Sequence, residues 1–235
     1  MGRFDNYLTT AFSGTRNIGM AYKFFDDDYR AHLPGDTHAA ILDLGCGTGE
    51  LVSYLRFRGY DNVIGIDASL EMAVFCQKNG IAGIECVDDA KAYLARYAGY
   101  FDLVVMNDVI EHMPKHETVA MLQAVGASLK KGGILLVRTG NAATPGGMYL
   151  RYKDFTHEIG YTELSLDQVL RMAGFTSVSI KGNSYPWGPK PLTFLRAIVL
   201  KIWFFILQAA YFVELGCDRP TIYSKLLIAI ARKVA

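Results

Sequence analysis

Three glycines spaced G-x-G-x-G, in Asp43-Leu-Gly45-Cys46-Gly47-Thr-Gly49-Glu50, stand where an apolar run ends and a helix-like pattern begins. Glycines in such a turn expose backbone N–H groups with no Cβ in the way, so a ligand can lie against the main chain. A dinucleotide site uses G-x-G-x-x-G around a diphosphate, and an acid two residues before the first glycine suits an anion poorly. Asp43 suits a cationic ligand. Asp67 closes the next apolar run, Val63–Ile66, where a carboxylate can accept both hydroxyls of a ribose. Asp88, Asp89 and Ala90 follow a third run, where a carboxylate can meet an adenine amino group. Taken in order, each at a strand's end, these acids outline one adenosine-shaped site.

The elements that must hold these residues read as β/α units from residue 41 onward. Apolar runs at Ile41–Leu44, Val63–Ile66, Ile81–Cys86, Phe101–Met106 and Ile134–Arg138 predict buried parallel strands. Helices fall between them. Ser69 is placed to cap Leu70–Asn79, and Lys115–Leu129 ends in Lys130-Lys131-Gly132-Gly133, basic residues and glycine where a helix C-terminus wants both. Ser165 to Gln168 has the form of a capping box for a helix that Gly174 ends. Further strands are expected at Thr176–Lys181 and Leu226–Ala231. Residues 1–40 read as a cap of helices and loop, without a targeting pattern, and the run Asp26-Asp27-Asp28 reads as solvated surface.

Asp43-Leu-Gly-Cys-Gly-Thr-Gly49, Asp67, Val87-Asp-Asp-Ala90 and Phe101-Asp-Leu-Val-Val-Met-Asn-Asp108 resemble, in order, the motifs of class I S-adenosylmethionine-dependent methyltransferases, over roughly Ile41 to Lys181. Val109-Ile-Glu-His-Met-Pro114 is similar to the Glu-His-x-Pro continuation of the branch that includes ubiquinone-biosynthesis O-methyltransferases. The resemblance implies an α/β, Rossmann-like seven-stranded sheet in the order 3-2-1-4-5-7-6, its last strand antiparallel, with helices on both faces. It implies S-adenosyl-L-methionine as cofactor, held by Asp43, Gly45, Cys46, Gly47, Gly49, Asp67, Ala68, Met72, Asp88, Asp89, Ala90, Asn107, Asp108 and Val109. Asn141 to Leu166 is similar to methyltransferases encoded among bacterial surface-polysaccharide genes, which implies O-methylation of a sugar or sugar-attached group. A quinone-like or other lipid-phase acceptor is the alternative. A nicotinamide dehydrogenase is disfavoured by the glycine spacing and Asp43, and a cofactor-binding regulator without turnover stands as a further alternative.

An alcohol acceptor needs a base beside it, a contribution of about 10²–10⁴ in rate. His112, beyond the fourth strand, and His157, before the Ser165 helix, are the candidates, with a loop-bracing role as the bland reading of each. Arg151, Tyr152, Asp154 and Glu158 are candidates to bind acceptor hydroxyls or an anionic group. Counting carboxylates and imidazoles does not scaffold a metal site from Asp108, His112, Asp154 and His157, so none is assigned.

The chain has 235 residues, 51% of them hydrophobic, and a formal charge of +1. That length supports one packed domain, and the near-neutral charge argues against a nucleic-acid binder working through a global basic field. The cysteines Cys46, Cys76, Cys86 and Cys217 show no metal or disulfide spacing, which points to a reducing, cytoplasmic setting. The chain divides into the cap (1–40), a cofactor core (41–181), an apolar amphipathic insert (182–222) and a final strand (223–235). From Lys181 to Lys225 six basic residues face two acidic ones. Within 192–215, the uncharged stretch Ile202–Val213 falls short of the ~20 apolar residues of a membrane span. This segment is expected to lie against the inner face of a membrane, with packing on the core or on a second subunit of a homodimer as the alternatives.

Overall fold

Ile41–Leu44 (β1) is buried at all four positions, so neither face of this strand has to be polar. That is the pattern of a parallel strand covered by helices on both sides. The structure, a computed structural model, describes Leu8, residues 18–185 and residues 190–233. The remaining residues of the expected cap (1–7 and 9–17), residues 186–189 of the insert and 234–235 lie outside the described residues.

β1 joins β2 (Val63–Asp67), β3 (Ile84–Cys86), β4 (Phe101–Asn107), β5 (Leu129–Gly140), β6 (Ser177–Gly182) and β7 (Leu226–Arg232) in a seven-stranded sheet of order β3-β2-β1-β4-β5-β7-β6. β1 runs parallel to β2 and β4, with Ile41 opposite Val63 and Leu103, while β7 is antiparallel to both β5 and β6. This is the expected fold and strand order.

The helices are α1 (Ile18–Asp28), α2 (Glu50–Phe57), α3 (Leu70–Lys78), α4 (Ala90–Ala95), α5 (Lys115–Ser128), α6 (Gly147–Tyr152), α7 (Glu163–Met172) and α8 (Lys190–Leu215). Alternate strand residues feed two apolar layers, as the pleat requires. Phe25, Tyr29, Leu51 and Tyr54 of α1, α2 and the turn after α1 pack with Ile41, Leu103 and Val105. On the other face Leu94, Leu122, Leu166 and Leu170 of α4, α5 and α7 pack with Leu42, Val104 and Leu135.

Four local expectations need correction. β3 begins at Ile84 rather than Ile81, because Gly83 turns at φ +74° and Ile81 N–H still bonds Cys76 O at the end of α3. Lys130 to Gly133 belong to β5, not to a helix end: Lys130 Nζ pairs with Asp102 at 2.7 Å and Gly132 N–H donates to Lys233 O. The capping box uses Thr162 and Ser165, not Ser165 and Gln168. Ser165 N–H donates to Thr162 Oγ1 at 3.2 Å, and Thr162 N–H to Ser165 Oγ at 2.9 Å. The acidic run is also more than solvated surface: Asp28 is buried and accepts bonds from Ser184 N–H and Oγ–H, while Tyr54 O–H donates to Asp26. It clamps α1 to the start of the insert.

α8 is docked along a single stripe. Among the described side chains of α8, Arg196, Leu200, Phe204, Leu207 and Tyr211, at i, i+4, i+8, i+11 and i+15, are the ones turned toward the domain, and Tyr211 O–H bonds Ala143 O. Phe194, Ile198, Ile202 and Phe205 stand exposed.

Candidate active site

β1 lies where the strand order reverses, between β2 and β4, and ligands of open α/β sheets bind beyond such strand ends. A cleft of about 1250 Å³ opens there. One small ligand typically fills ~300–1,000 Å³, so two molecules have room to meet. Every residue expected to hold a cofactor lines this cleft except Gly49, which sits behind it at the start of α2.

The floor on one side is built by the glycine turn. Gly45 has φ +75°, and a Cβ there would overlap the Val109 side chain. Gly47 has φ +53°, and a Cβ there would project into open space. Asp67 holds the turn in place: its Oδ2 accepts from Gly47 N–H and its Oδ1 from Ser69 N–H, both at 2.8 Å. Burial raises its carboxyl above the ordinary carboxylate range, with the Ser69 and Gly47 amides opposing that shift. Ser69 is the N-cap residue of α3 by position, but its side chain makes no cap bond.

Asp43 is 1% exposed, and its Oδ1 has no hydrogen-bond partner among the described residues. Burial first, and then the charge of Asp67, push its carboxyl up to about 7. Burial likewise pushes up the Cys46 thiol, which makes it lining rather than a nucleophile. The two acids after β3 divide their work. Asp89 Oδ1 accepts Ala92 N–H at 3.0 Å and caps α4, while Asp88 lines the cleft.

At the tip of β4, Asn107 accepts a bond from the buried Tyr29 hydroxyl. Asp108 takes the left-handed φ of +54° and pairs with Arg138 of β5, whose guanidinium stacks on Phe24 at 5.1 Å. Asp108 is thereby committed to a cation on the frame.

The far end of the cleft is made by residues distant in sequence. His112 and His157 meet with ring centroids 4.6 Å apart. His112 Nδ1 lies 2.9 Å from Thr156 Oγ1, and that hydroxyl donates to Asp154 Oδ1 at 2.7 Å. With its proton given to Asp154, the Thr156 oxygen can only accept, so His112 Nδ1 carries a proton and Nε2 carries the lone pair. His157 Nδ1 lies 2.9 Å from Leu150 O, a contact that fixes the same tautomer.

Asp154 lines the cleft, but Arg151, Tyr152 and Glu158 do not. Arg151 is used in the frame instead, donating to Glu158 O at 2.7 Å and lying over the Tyr152 ring. Glu111 is a cleft residue that reading the sequence passed over. It is buried, its carboxyl is pushed up to about 8 by burial and then by Asp108, and its carbonyl accepts Glu158 N–H and Ile159 N–H. Lys153 and Lys225 line the mouth without any local sequence signal. Thr156 had one, since Asp-x-Thr commonly folds into a side-chain turn, and here Thr156 N–H does donate to Asp154 Oδ1.

A family profile described as a methyltransferase domain matches residues 20–180. The chain belongs to this methyltransferase family. A ubiquinone biosynthesis O-methyltransferase of Psychrobacter arcticus is 30% identical over 194 residues, which cover 75% of this methyltransferase and 72% of that protein. A trans-aconitate 2-methyltransferase of Deinococcus radiodurans is 30% identical over 112 residues, 47% of this chain and 42% of that one. Among solved structures, an S-adenosylmethionine-dependent methyltransferase from Archaeoglobus fulgidus superimposes with a TM-score of 0.70 at 19% identity, covering 99% of this chain and 100% of that chain. That likeness is one of fold. The cleft of this methyltransferase fits S-adenosylmethionine on its own terms: a buried, unsatisfied carboxylate oxygen on Asp43 calls for a cationic group, and the open side of Gly47 admits a ligand to the backbone.

Proposed function

We propose that this class I S-adenosylmethionine-dependent methyltransferase methylates an oxygen on a sugar or sugar-attached group of a surface glycan, working at the inner face of a membrane. The observation that carries the reading is the polar far end of the cleft, where His112, His157 and Asp154 converge and Lys153 and Lys225 line the mouth. A polyhydroxylated acceptor matches that lining better than a flat apolar ring does. The likeness of residues 141–166 to methyltransferases of polysaccharide gene clusters agrees with it.

S-adenosylmethionine supplies an electrophilic methyl group on a sulfonium. Asp43 would hold its ammonium group, Asp67 its ribose and Asp88 its adenine amino group. Alignment of the acceptor by the cleft walls accounts for up to ~7–11 kcal/mol of barrier reduction in reactions of this kind. The ring nitrogens of His112 and His157 then manage the acceptor proton, His112 being oriented by Thr156 and Asp154.

The exposed stripe of α8 lies against an anionic lipid surface, in keeping with the basic excess between Lys181 and Lys225. By length and composition alone, Phe194–Asp218 is enough to cross a membrane. Docking along the Arg196–Tyr211 stripe argues instead for a helix lying in the plane.

Incubation with methyl-labelled cofactor and lipid-linked or polymeric glycans, compared with a catechol-type quinone precursor, separates the acceptors. Label in the quinone precursor alone would establish the second reading, which the ubiquinone-pathway relatives favour. Flotation with anionic liposomes is expected for the wild type and lost in Phe194→Ser/Ile202→Ser/Phe205→Ser. Unchanged flotation of that variant, or a wild type that sediments as a dimer and ignores liposomes, would overturn the membrane assignment.

A further inference from the structure

The far end of the cleft holds a group that the family's cofactor chemistry does not require. One ligand atom from each of His112, Asp154 and His157 lies within 4.8 Å of the others, and none of the three side chains is fully exposed. We propose that these three residues form a binding site for a divalent first-row transition metal, zinc foremost, with open coordination positions facing the acceptor.

Three observations carry this. Both imidazoles are held through Nδ1, His157 by the Leu150 carbonyl and His112 by the Thr156 hydroxyl, so that Nε2 is the ring nitrogen each would offer to an ion. Metal-ligating histidines are oriented in this way, with the second ring nitrogen donating to a carbonyl or a polar side chain. The carboxylate is oriented as well, because Asp154 Oδ1 accepts both Thr156 N–H and Thr156 Oγ–H. The donor set selects the metal: two imidazoles and one carboxylate suit zinc, iron(II), cobalt(II) or manganese(II), whereas magnesium and calcium prefer oxygen throughout.

The spacing is compatible with chelation. An ion about 2.0–2.2 Å from each donor holds the donors roughly 3.3–3.5 Å apart, within reach of side-chain adjustment from a cluster in which one ligand atom of each residue lies within 4.8 Å of the others. Three protein ligands leave positions for an acceptor oxygen, as in catalytic rather than structural zinc sites. Asp108, considered with these residues from sequence, is excluded by its pairing with Arg138.

The role of the ion rests on the methyltransferase reading: with both histidines as its ligands it would bind and polarise the acceptor oxygen, so that the acceptor proton is lost to solvent rather than taken by an imidazole. The binding itself does not depend on that reading. Tag-free, chelator-treated protein titrated with cobalt(II) or zinc(II) by calorimetry and visible absorption is expected to bind one ion per chain. His157→Ala and Asp154→Ala should each weaken binding at least 100-fold and Thr156→Val about 10-fold, while His116→Ala, an exposed histidine outside the cluster, leaves it unchanged. S-adenosylhomocysteine affinity, measured on the same samples, should stay at the wild-type value in all four. Absence of binding below millimolar metal, or equal binding by wild type and His112→Ala/His157→Ala, overturns the site. Failure to bind S-adenosylhomocysteine would instead count against the methyltransferase reading.

Discussion

The side of the cleft proposed to hold the methyl donor takes its polar atoms from strand ends and first helical turns between residues 43 and 109, each within a few positions of a glycine or an acid. The side proposed to receive the acceptor collects His112, Thr156, His157, Ser184 and Lys225 from separate segments. On the donor side one β/α/β unit fixes geometry: the Asp67 carboxylate at the end of β2 bonds the Gly47 amide 20 residues earlier, beyond β1. On the acceptor side local contacts such as Thr156 with Asp154 are brought into the cleft by tertiary ones such as His112 with Thr156, which are 44 residues apart. A single sheet can therefore keep one cofactor site while the other wall varies with loops and insertions.

The largest effect that would break this division is expected at Asp67. Asp67→Ala removes the acceptor for two backbone amides as well as the proposed ribose contact, and S-adenosylhomocysteine binding should fall by more than about 100-fold, since bonds to charged groups contribute ~1.5–3 kcal/mol each. Calorimetric affinity near the wild-type value would mean that the ribose assignment is wrong. On the acceptor side, Asn141→Ala orphans the Ile222 and Ser224 carbonyls that the amide satisfies, each bonded at 2.9 Å. Roughly 2–3 kcal/mol of stability should be lost, or about 5–10 °C in Tm, with acceptor turnover reduced and S-adenosylhomocysteine affinity kept. Equal losses of both activities would dissolve the distinction between the two sides.

A pH profile tests the donor side more finely. With its carboxyl raised to about 7, Asp43 is neutral below that pH and charged above it in the ligand-free protein. A cationic ligand prefers the charged form, so S-adenosylhomocysteine affinity should rise about 10-fold from pH 6 to pH 8. Thermal stability without ligand should move the opposite way. A carboxyl raised on folding favours the folded state at low pH, and that contribution is lost as pH rises from the ordinary carboxylate range to about 7, above which the curve is flat. Asp43→Asn should flatten both curves. If Glu111→Gln flattens the affinity curve instead, the titrating group belongs to the acceptor side.

The smallest expected effect concerns the two helix caps. Thr162→Ala should cost about 1 kcal/mol, because both bonds of the capping box are made, whereas Ser69→Ala should change Tm by no more than about 2 °C. Differential scanning fluorimetry of the pair is sufficient.

The donor side was readable from sequence because parallel β/α architecture forces its residues to strand ends: glycines and acids at 43, 45, 47, 67 and 88 all line the cleft, as the motif order predicts. Strand order followed from resemblance, not from periodicity. The acceptor side was readable only in part. His112, Asp154 and His157 were recognised as residue types, but their convergence depends on the path of 141–162 over β5 and the Glu111 turn, which no local pattern encodes. Glu111 reads as an ordinary helix-start acid until burial is known, and Asp28 reads as solvent-exposed until Ser184 is seen to bind it. Arg151 and Glu158 had the composition of a binding pair, yet they brace the loop from outside.

Asn141 carries a consequence for the order in which the molecule assembles. Its side chain and backbone bond residues 222, 224 and 225, more than 80 positions later, while its Oδ1 accepts Ala143 N–H at the start of the acceptor wall. Glu111 O already holds Glu158 and Ile159, but this second anchor forms only once β7 has paired between β5 and β6, the last closure of the sheet. A nascent chain ending before residue 222 holds β1 to β4 but lacks the three carbonyls that Asn141 bonds at residues 222, 224 and 225, so the wall built on Asn141 is the last part of the cleft to be fixed.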